Sequence, residues 1–145
     1  MARADFRFAF PLRVRYVEVD AQKVVFNAHY LTYYDVAITE FFRELPYDYM
    51  SQVSRTGEDF HVVRSVIEYK APVLFDEEID VLVRVGRVGR SSLTFALEVH
   101  GRGVEDLRAT GEIVWVNTNQ ETHRPAPLAQ ALIDKLEPHT DGGAA

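Results

Sequence analysis

From Asn27 to Leu45 the chain reads NAHYLTYYDVAITEFFREL, the one long stretch whose apolar residues recur at helical spacing. Placed at 100° per residue, Tyr30, Leu31, Tyr34, Ala37, Ile38, Phe41, Phe42 and Leu45 share one broad sector. Thr32, Asp35, Thr39, Glu40, Arg43 and Glu44 take the remaining arc. The pattern predicts a single amphipathic helix of about five turns. Pro46 ends it, and the Asn27 side chain is its expected N-cap. Tyr33 and Val36 fall on the polar side and are read as candidates for a subunit contact.

Around this helix the chain alternates at period two, the spacing of half-buried strands. Before it, Phe6, Phe8, Phe10, Leu12, Val14 and Tyr16 share a parity that Glu18 and Asp20 continue, with Pro11 marking an edge or a bulge. After it, Tyr47 to Phe60 reads as loop with one short helical turn. Three alternating runs follow: Val63–Ala71, Ile79–Val85 and Leu93–Val99. Leu107–Val116 is apolar on both faces near its end, as a central strand would be. GRVGRSS and HGRGVED are hairpin connections, so these strands are antiparallel neighbours. LAQALIDKL is a short terminal helix, and the tail from His139, ending DGGAA, is expected to be frayed. The expectation is therefore α+β: one domain over residues 1–138, with a five-stranded antiparallel sheet curled around one long helix. Val62, Val66, Leu82, Ala96 and Val114 are read on the second face of the sheet. One helix cannot cover two faces, so a second copy of the chain is expected there.

Composition excludes several classes. A chain of 145 residues holds one domain with a real core. It has no cysteine, so disulfides, thiolate metal sites and cysteine nucleophiles are out. MARADFRFAF has neither the apolar run nor the cleavage site of a signal peptide, and no stretch is apolar enough to span a membrane. A cytoplasmic protein is expected. A net charge of −6 argues against nucleic acid as a partner. Arg84, Arg87 and Arg90 form one basic cluster, either solvated surface or a seat for a small anion. There is no G-x-S-x-G, no Gly-rich phosphate loop and no H-E-x-x-H. His61 and His100 read as ordinary strand-end residues, Arg64 and Lys70 as the solvent face of a strand. No cofactor is implied, although Glu18, Asp20 and His29 are the residues a metal site would use.

That leaves VRYVEVDAQKVVFNAHY, Val14 to Tyr30, where a strand ends in two acids just before the helix begins. Glu18 and Asp20 are either solubilising turn residues or part of a reactive site. In the second reading, free N–H groups at the helix start hold a developing oxyanion while a carboxylate attacks or activates water.

Arg15 to Glu40 resembles the signature of the 4-hydroxybenzoyl-CoA thioesterase group of hotdog-fold acyl-CoA thioesterases. In that family a strand ends in acid-x-Asp, followed by a short turn, a hydrophobic pair, an aromatic, and alanine or proline two residues before a tyrosine. Here the same positions read Glu18-Val19-Asp20, Ala21-Gln22-Lys23, Val24-Val25, Phe26 and Asn27-Ala28-His29-Tyr30. The likeness covers nearly the whole chain in element order. It implies hydrolysis of an acyl-CoA thioester with Asp20 as the catalytic carboxylate, and a polarising backbone N–H near Asn27. It implies CoA phosphates met by Arg90 with Ser91 or Ser92, alongside Arg87 and Lys70. It also implies a homodimer or homotetramer. The aromatics near the helix, Phe26, Tyr30, Tyr33 and Tyr34, suit an aryl or a medium aliphatic acyl group equally well, and Phe26 and Tyr30 are its expected contacts. Many relatives carry glycine where Lys23 stands, and residue 27 varies among subgroups, so Asn27 does not define the substrate. A hotdog hydratase or dehydratase and a non-catalytic acyl-CoA-binding protein are the alternatives; the segment after Asp20 lacks the hydratase motif.

Overall fold

The computed structural model describes residues 2–140, apart from the Tyr49 side chain; the DGGAA segment lies outside the described residues. In chain order the elements are β1 (Phe8–Arg13), α1 (His29–Glu44), α2 (Tyr49–Thr56), β2 (Glu58–Tyr69), β3 (Glu78–Val88), β4 (Ser92–Gly101), β5 (Leu107–Asn119) and α3 (Gln130–Leu136). The strands form one antiparallel five-stranded sheet in the order β1-β3-β4-β5-β2. That puts β1 and β2 at its edges.

The 16-residue α1 buries Tyr30, Tyr34, Ala37, Ile38, Phe41 and Phe42 against one face of the sheet. Facing them are Ile79, Val81, Val83 and Val85 of β3 and Phe95, Leu97 and Val99 of β4, with Ala109, Ile113 and Trp115 of β5. The aromatic centre of this layer is Phe42, stacked on Trp115 at 5.5 Å and 7°. Phe60 and Phe95 close round the same indole at 5.4 and 5.2 Å. Each such ring contributes about 1.5–3 kcal/mol by leaving water. Among the described residues, no helix is long and apolar enough to cross a membrane.

Several sequence expectations are corrected. The first strand ends at Arg13, and Tyr16–Glu18 form a 3-10 turn, so Tyr16 and Val17 face solvent (81% and 69% exposed) while Glu18 is buried. The even parity therefore breaks between Val14 and Glu18. The helix begins at His29 with Ala28 at the cap and no side-chain cap bond, so Asn27 does not play that part. Tyr33 is buried rather than offered to a partner subunit, because the Tyr16–Glu18 turn folds onto that side of α1. Leu31, placed on the apolar sector, is 43% exposed. The short helical turn expected between Tyr47 and Phe60 is the eight-residue α2, capped by Asp48 through Ser51 N–H and ended by left-handed Gly57. Only its caps marked it, since it is too short to carry a long apolar stripe. The chain past Leu136 continues into a 3-10 turn, Glu137–His139, and the His139 ring lies 4.7 Å from that of Phe41.

The strand β2 starts at Glu58 and bulges between Val62 and Arg64. Val62 pairs with Trp115, on the helix side, whereas Val66 pairs with Glu112 on the other. One inserted residue thus divides two valines that alternation puts together. The far face is also less bare than expected. The N-terminal segment crosses it, pairing Arg3 with Asp80 and taking Arg84 against the Asp5 carbonyl (3.1 Å) and the Phe6 ring. Leu82 is buried there, as is His100, bonded to Glu98 (2.8 Å) and accepting from Asp106 N–H (2.9 Å).

The close seating of α1 rests on Gly111. A Cβ at that position would lie 2.4 Å from the Tyr34 ring, nearer than any real contact. Gly111→Ala should therefore cost about 1–3 kcal/mol in urea unfolding. The penalty should shrink when Tyr34→Leu is added, because the smaller side chain vacates the space. Strict additivity of the two changes would contradict this packing.

Candidate active site

The two acids differ in what surrounds them. Glu18 is buried and its carboxylate is fully engaged, accepting from Arg15 N–H (2.8 Å), the Arg15 guanidinium (2.9 Å) and the Tyr33 hydroxyl (2.8 Å). Burial alone would raise its pKa. The bonds from Arg15 and Tyr33 outweigh that and hold it below the usual carboxylate value. Burial and the same carboxylate push the Tyr33 phenol up. Glu18 is thus a brace between the 3-10 turn and the first half of α1.

Asp20 opens a tight turn. Its backbone accepts from Lys23 N–H (2.9 Å) and its Oδ1 from Gln22 N–H (2.8 Å), while Oδ2 has no partner among the described residues. Lys23 sits at φ 63°, the left-handed region that favours glycine. The resemblance's glycine position is therefore a conformational requirement that lysine meets at some strain. The loop closes through Asp20 N–H to Val24 O and Phe26 N–H to Glu18 O, both 2.9 Å. Val25 N–H is tied to Val73 O at 2.8 Å.

Past Phe26 the chain turns into α1, His29 N–H bonding Phe26 O and Tyr30 N–H bonding Asn27 O. The N–H groups of Asn27 and Ala28 have no acceptor among the described residues. They stand at the positive end of a 16-residue helix. The Asn27 peptide is held from the other side by the Tyr69 hydroxyl, donating to its carbonyl at 3.2 Å. A cleft of about 300 Å³ opens here, lined by Val25, Asn27, Tyr30, Tyr69, Lys70, Ala71 and Pro72.

Of the residues singled out from sequence, Asn27, Tyr30 and Lys70 share this cleft, and Phe26 lies beside it, half-exposed against the His29 ring at 6.0 Å. Asp20 belongs to the adjoining turn and does not line it. Arg87, Arg90 and Ser91 are elsewhere. They occupy the β3–β4 hairpin, pinned by Leu128 N–H to Arg90 O and Asn117 N–H to Ser91 O. That end of the sheet meets the C-terminal half of α1, where Phe42 touches Trp115. From Glu78 to Val88 is roughly 30 Å of strand, so within one chain these residues are a sheet's length from Asp20. Arg84, joined to them by sequence, is buried under the N-terminal segment, so the basic cluster is not one patch. Glu18, Asp20 and His29 do not form a metal cluster; none of three or more His, Asp or Glu exists among the described residues.

Sequence reasoning missed Tyr69 and Arg108. Arg108 donates to Pro72 O (2.9 Å), Glu77 (2.9 Å) and Asp106 (3.0 Å), and its carbonyl accepts from Lys70 and Ala71 N–H. The Arg108 guanidinium is the first cause lowering the pKa of Glu77 and of Asp106. It fixes the segment that forms one wall of the cleft. Neither residue belongs to a local motif, and only the β2–β5 pairing brings them to the helix start.

The brace has a pH signature. A carboxylate whose pKa is lowered on folding stabilises the fold above its unfolded value, about 4.3 for glutamate. It loses that contribution as pH falls through the lowered value. Glu18→Gln should therefore melt below the wild type at pH 7, and the gap should close between about pH 5 and pH 3. Circular dichroism melts across that range measure it; a gap that is constant with pH would mean the carboxylate charge is not what braces the turn.

Among solved structures, a Pseudomonas aeruginosa protein, PA5185, superposes with TM-score 0.84 at 27% identity, covering 96% of this chain and 95% of its own. A 1,4-dihydroxy-2-naphthoyl-CoA thioesterase from Synechocystis shares the fold at TM-score 0.82 and 16% identity, over 89% of this chain and 94% of its own. In sequence, the acyl-CoA thioester hydrolase YbgC of Escherichia coli is 31% identical over 132 residues, 90% of this chain and 96% of the relative. The family model of the thioesterase-like superfamily matches residues 14–136, from the turn that carries Glu18 and Asp20 to the end of α3, and the chain belongs to that family.

Proposed function

We propose that the protein hydrolyses an acyl-CoA thioester to a free carboxylic acid and CoA, with Asp20 as the catalytic carboxylate. One observation carries this reading. A carboxylate with a free oxygen lies in the same loop as two unpaired N–H groups at a helix start, in a chain of the thioesterase-like superfamily. The thioester carbonyl oxygen accepts from the Asn27 and Ala28 N–H groups, where the helix end stabilises the charge that grows on it. Asp20 either attacks the carbonyl carbon, giving an anhydride that water opens, or takes a proton from the water that attacks. In both routes the tetrahedral oxyanion collapses by breaking the C–S bond, and CoA leaves as thiolate. Gln22 N–H holds one Asp20 oxygen and so directs the other.

Asp20→Asn should stay folded and bind acyl-CoA while kcat falls at least about a hundredfold, the usual scale for such a group. Glu18→Gln should cost far less in kcat, since its oxygens are spent on Arg15 and Tyr33. Thiol release from a panel of acyl-CoAs measures both; near-normal turnover by Asp20→Asn would overturn the assignment.

The CoA end of the substrate calls for a second chain. Lys70 lies at the cleft, but Arg87, Arg90 and Ser91 are at the opposite end of their own sheet. The edge strand β2 leaves backbone groups unpaired and exposes Val63, Val66 and Tyr69. Antiparallel pairing of two β2 edges about a two-fold axis reverses one sheet against the other. It carries the Arg90 hairpin of the second copy toward the helix start of the first. Arg90→Ala should then raise KM for CoA esters with kcat nearly intact, and leave KM unchanged for a thioester lacking the nucleotide. Light scattering should give at least a dimer at micromolar concentration; a stable monomer of 16.6 kDa would sink the shared site.

A further inference from the structure

Tyr69 joins the sheet to the helix start, and the atom it reaches is chemically particular. Its hydroxyl donates to the Asn27 carbonyl at 3.2 Å. That carbonyl belongs to the same peptide unit as the Ala28 N–H, one of the two N–H groups with no acceptor among the described residues. Resonance couples the two ends of a peptide. A donor on the oxygen draws electron density from the nitrogen and makes the N–H a stronger donor, the cooperativity of hydrogen-bond chains. The Asn27 N–H belongs to the preceding peptide and is not reached this way.

Neither partner needs this bond to be satisfied. Tyr69 is 53% exposed, so water can serve its hydroxyl, and its edge-on contact with the Tyr30 ring (5.1 Å, 86°) uses no oxygen. The Asn27 carbonyl already accepts from Tyr30 N–H at 3.3 Å. The hydroxyl is nevertheless held on a firm base. Tyr69 pairs with the buried Ala109 at the end of β2, and the next two N–H groups, of Lys70 and Ala71, bond Arg108 O at 2.8 and 3.0 Å. The peptide it reaches has less support of its own, since α1 begins with no side-chain cap bond.

We infer that Tyr69 is a positioning residue for thioester hydrolysis: through the Asn27 carbonyl it orients and polarises the Ala28 N–H toward the thioester oxygen. The inference rests on the acyl-CoA thioesterase reading above and adds a residue to that same site. A strengthened donor favours a full negative charge more than a neutral carbonyl, so it acts chiefly on the tetrahedral oxyanion. Its loss therefore falls on kcat and leaves KM nearly unchanged. A tyrosine that only packed against Tyr30 would lose nothing on exchange for phenylalanine, which presents the same ring edge.

The test is Tyr69→Phe, assayed with the acyl-CoA that the wild type turns over fastest. Here kcat should fall about tenfold, short of the roughly hundredfold or greater cost of losing an oxyanion donor outright. KM should stay within about twofold, and melting temperature and light scattering should match the wild type. The second readout is the infrared stretch of a carbonyl-labelled form of that acyl-CoA bound to Asp20→Asn. Binding should move the stretch to lower wavenumber, and adding Tyr69→Phe should return it part of the way to the free value. An unchanged kcat, a change confined to KM, or a carbonyl stretch that ignores Tyr69→Phe overturns this inference alone. No turnover of any ester by the wild type overturns the thioesterase reading and this inference with it.

Discussion

The spacing between α1 and the sheet is set where the Tyr34 ring lies on the bare backbone of Gly111. Any side chain on that strand position would lift the helix off the sheet. With the helix seated this low, Phe42 reaches Trp115 in a stacked contact and Tyr30 meets the Tyr69 ring edge-on at 5.1 Å. The second contact belongs to the site as much as to the core. It sets Tyr69 so that its hydroxyl reaches the Asn27 carbonyl, and so fixes the peptide next to the two free N–H groups. Core packing and the geometry of the helix start are therefore one problem.

The two acids that share a parity in sequence divide their work because their environments differ. Glu18 is held ionised inside the protein by three donors, which makes it a strut and leaves it no free lone pair aimed at a substrate. Asp20 is half-buried, with one oxygen fixed and one open. A reacting carboxylate needs the second condition and a supporting one the first. On the proposed reading, replacing the strut would disturb where the helix starts, and replacing the open acid what happens there.

Alternation and helical period made the sheet, its antiparallel neighbours and α1 legible in the sequence, because α1, β3, β4 and β5 each bury at least one continuous face. The features that escaped are those where a single residue changes register. The bulge between Val62 and Arg64 divides the faces of Val62 and Val66, and the 3-10 turn at Tyr16–Glu18 breaks the parity that β1 began. Tyr33 was misread for a related reason. Its side of α1 is polar by period, and it becomes interior only because a loop folds across it. Among the candidate site residues, Asp20 and Asn27 stand out in the sequence because they are seven residues apart on one loop. Tyr69 and Arg108 were not, because strand pairing across long sequence separations delivers them.

The placement of charge carries the last step. Around the helix start, Lys70 lies at the cleft and exposed Lys23 in the adjoining turn, while Arg15 is committed to Glu18, and Arg108 to Glu77 and Asp106. Arg87 and Arg90, both exposed, stand at the other end of the sheet. If a CoA ester binds at this cleft as proposed, a chain of net charge −6 gains from further cations beside Lys23 and Lys70. A two-fold pairing along β2 does so with no change in either chain's fold, since reversing one sheet against another exchanges their ends. On the proposed reading, the exposed apolar residues on that edge and the distant arginines would have one explanation between them: each chain would supply the reacting carboxylate for its own site and the phosphate-binding cations for the other.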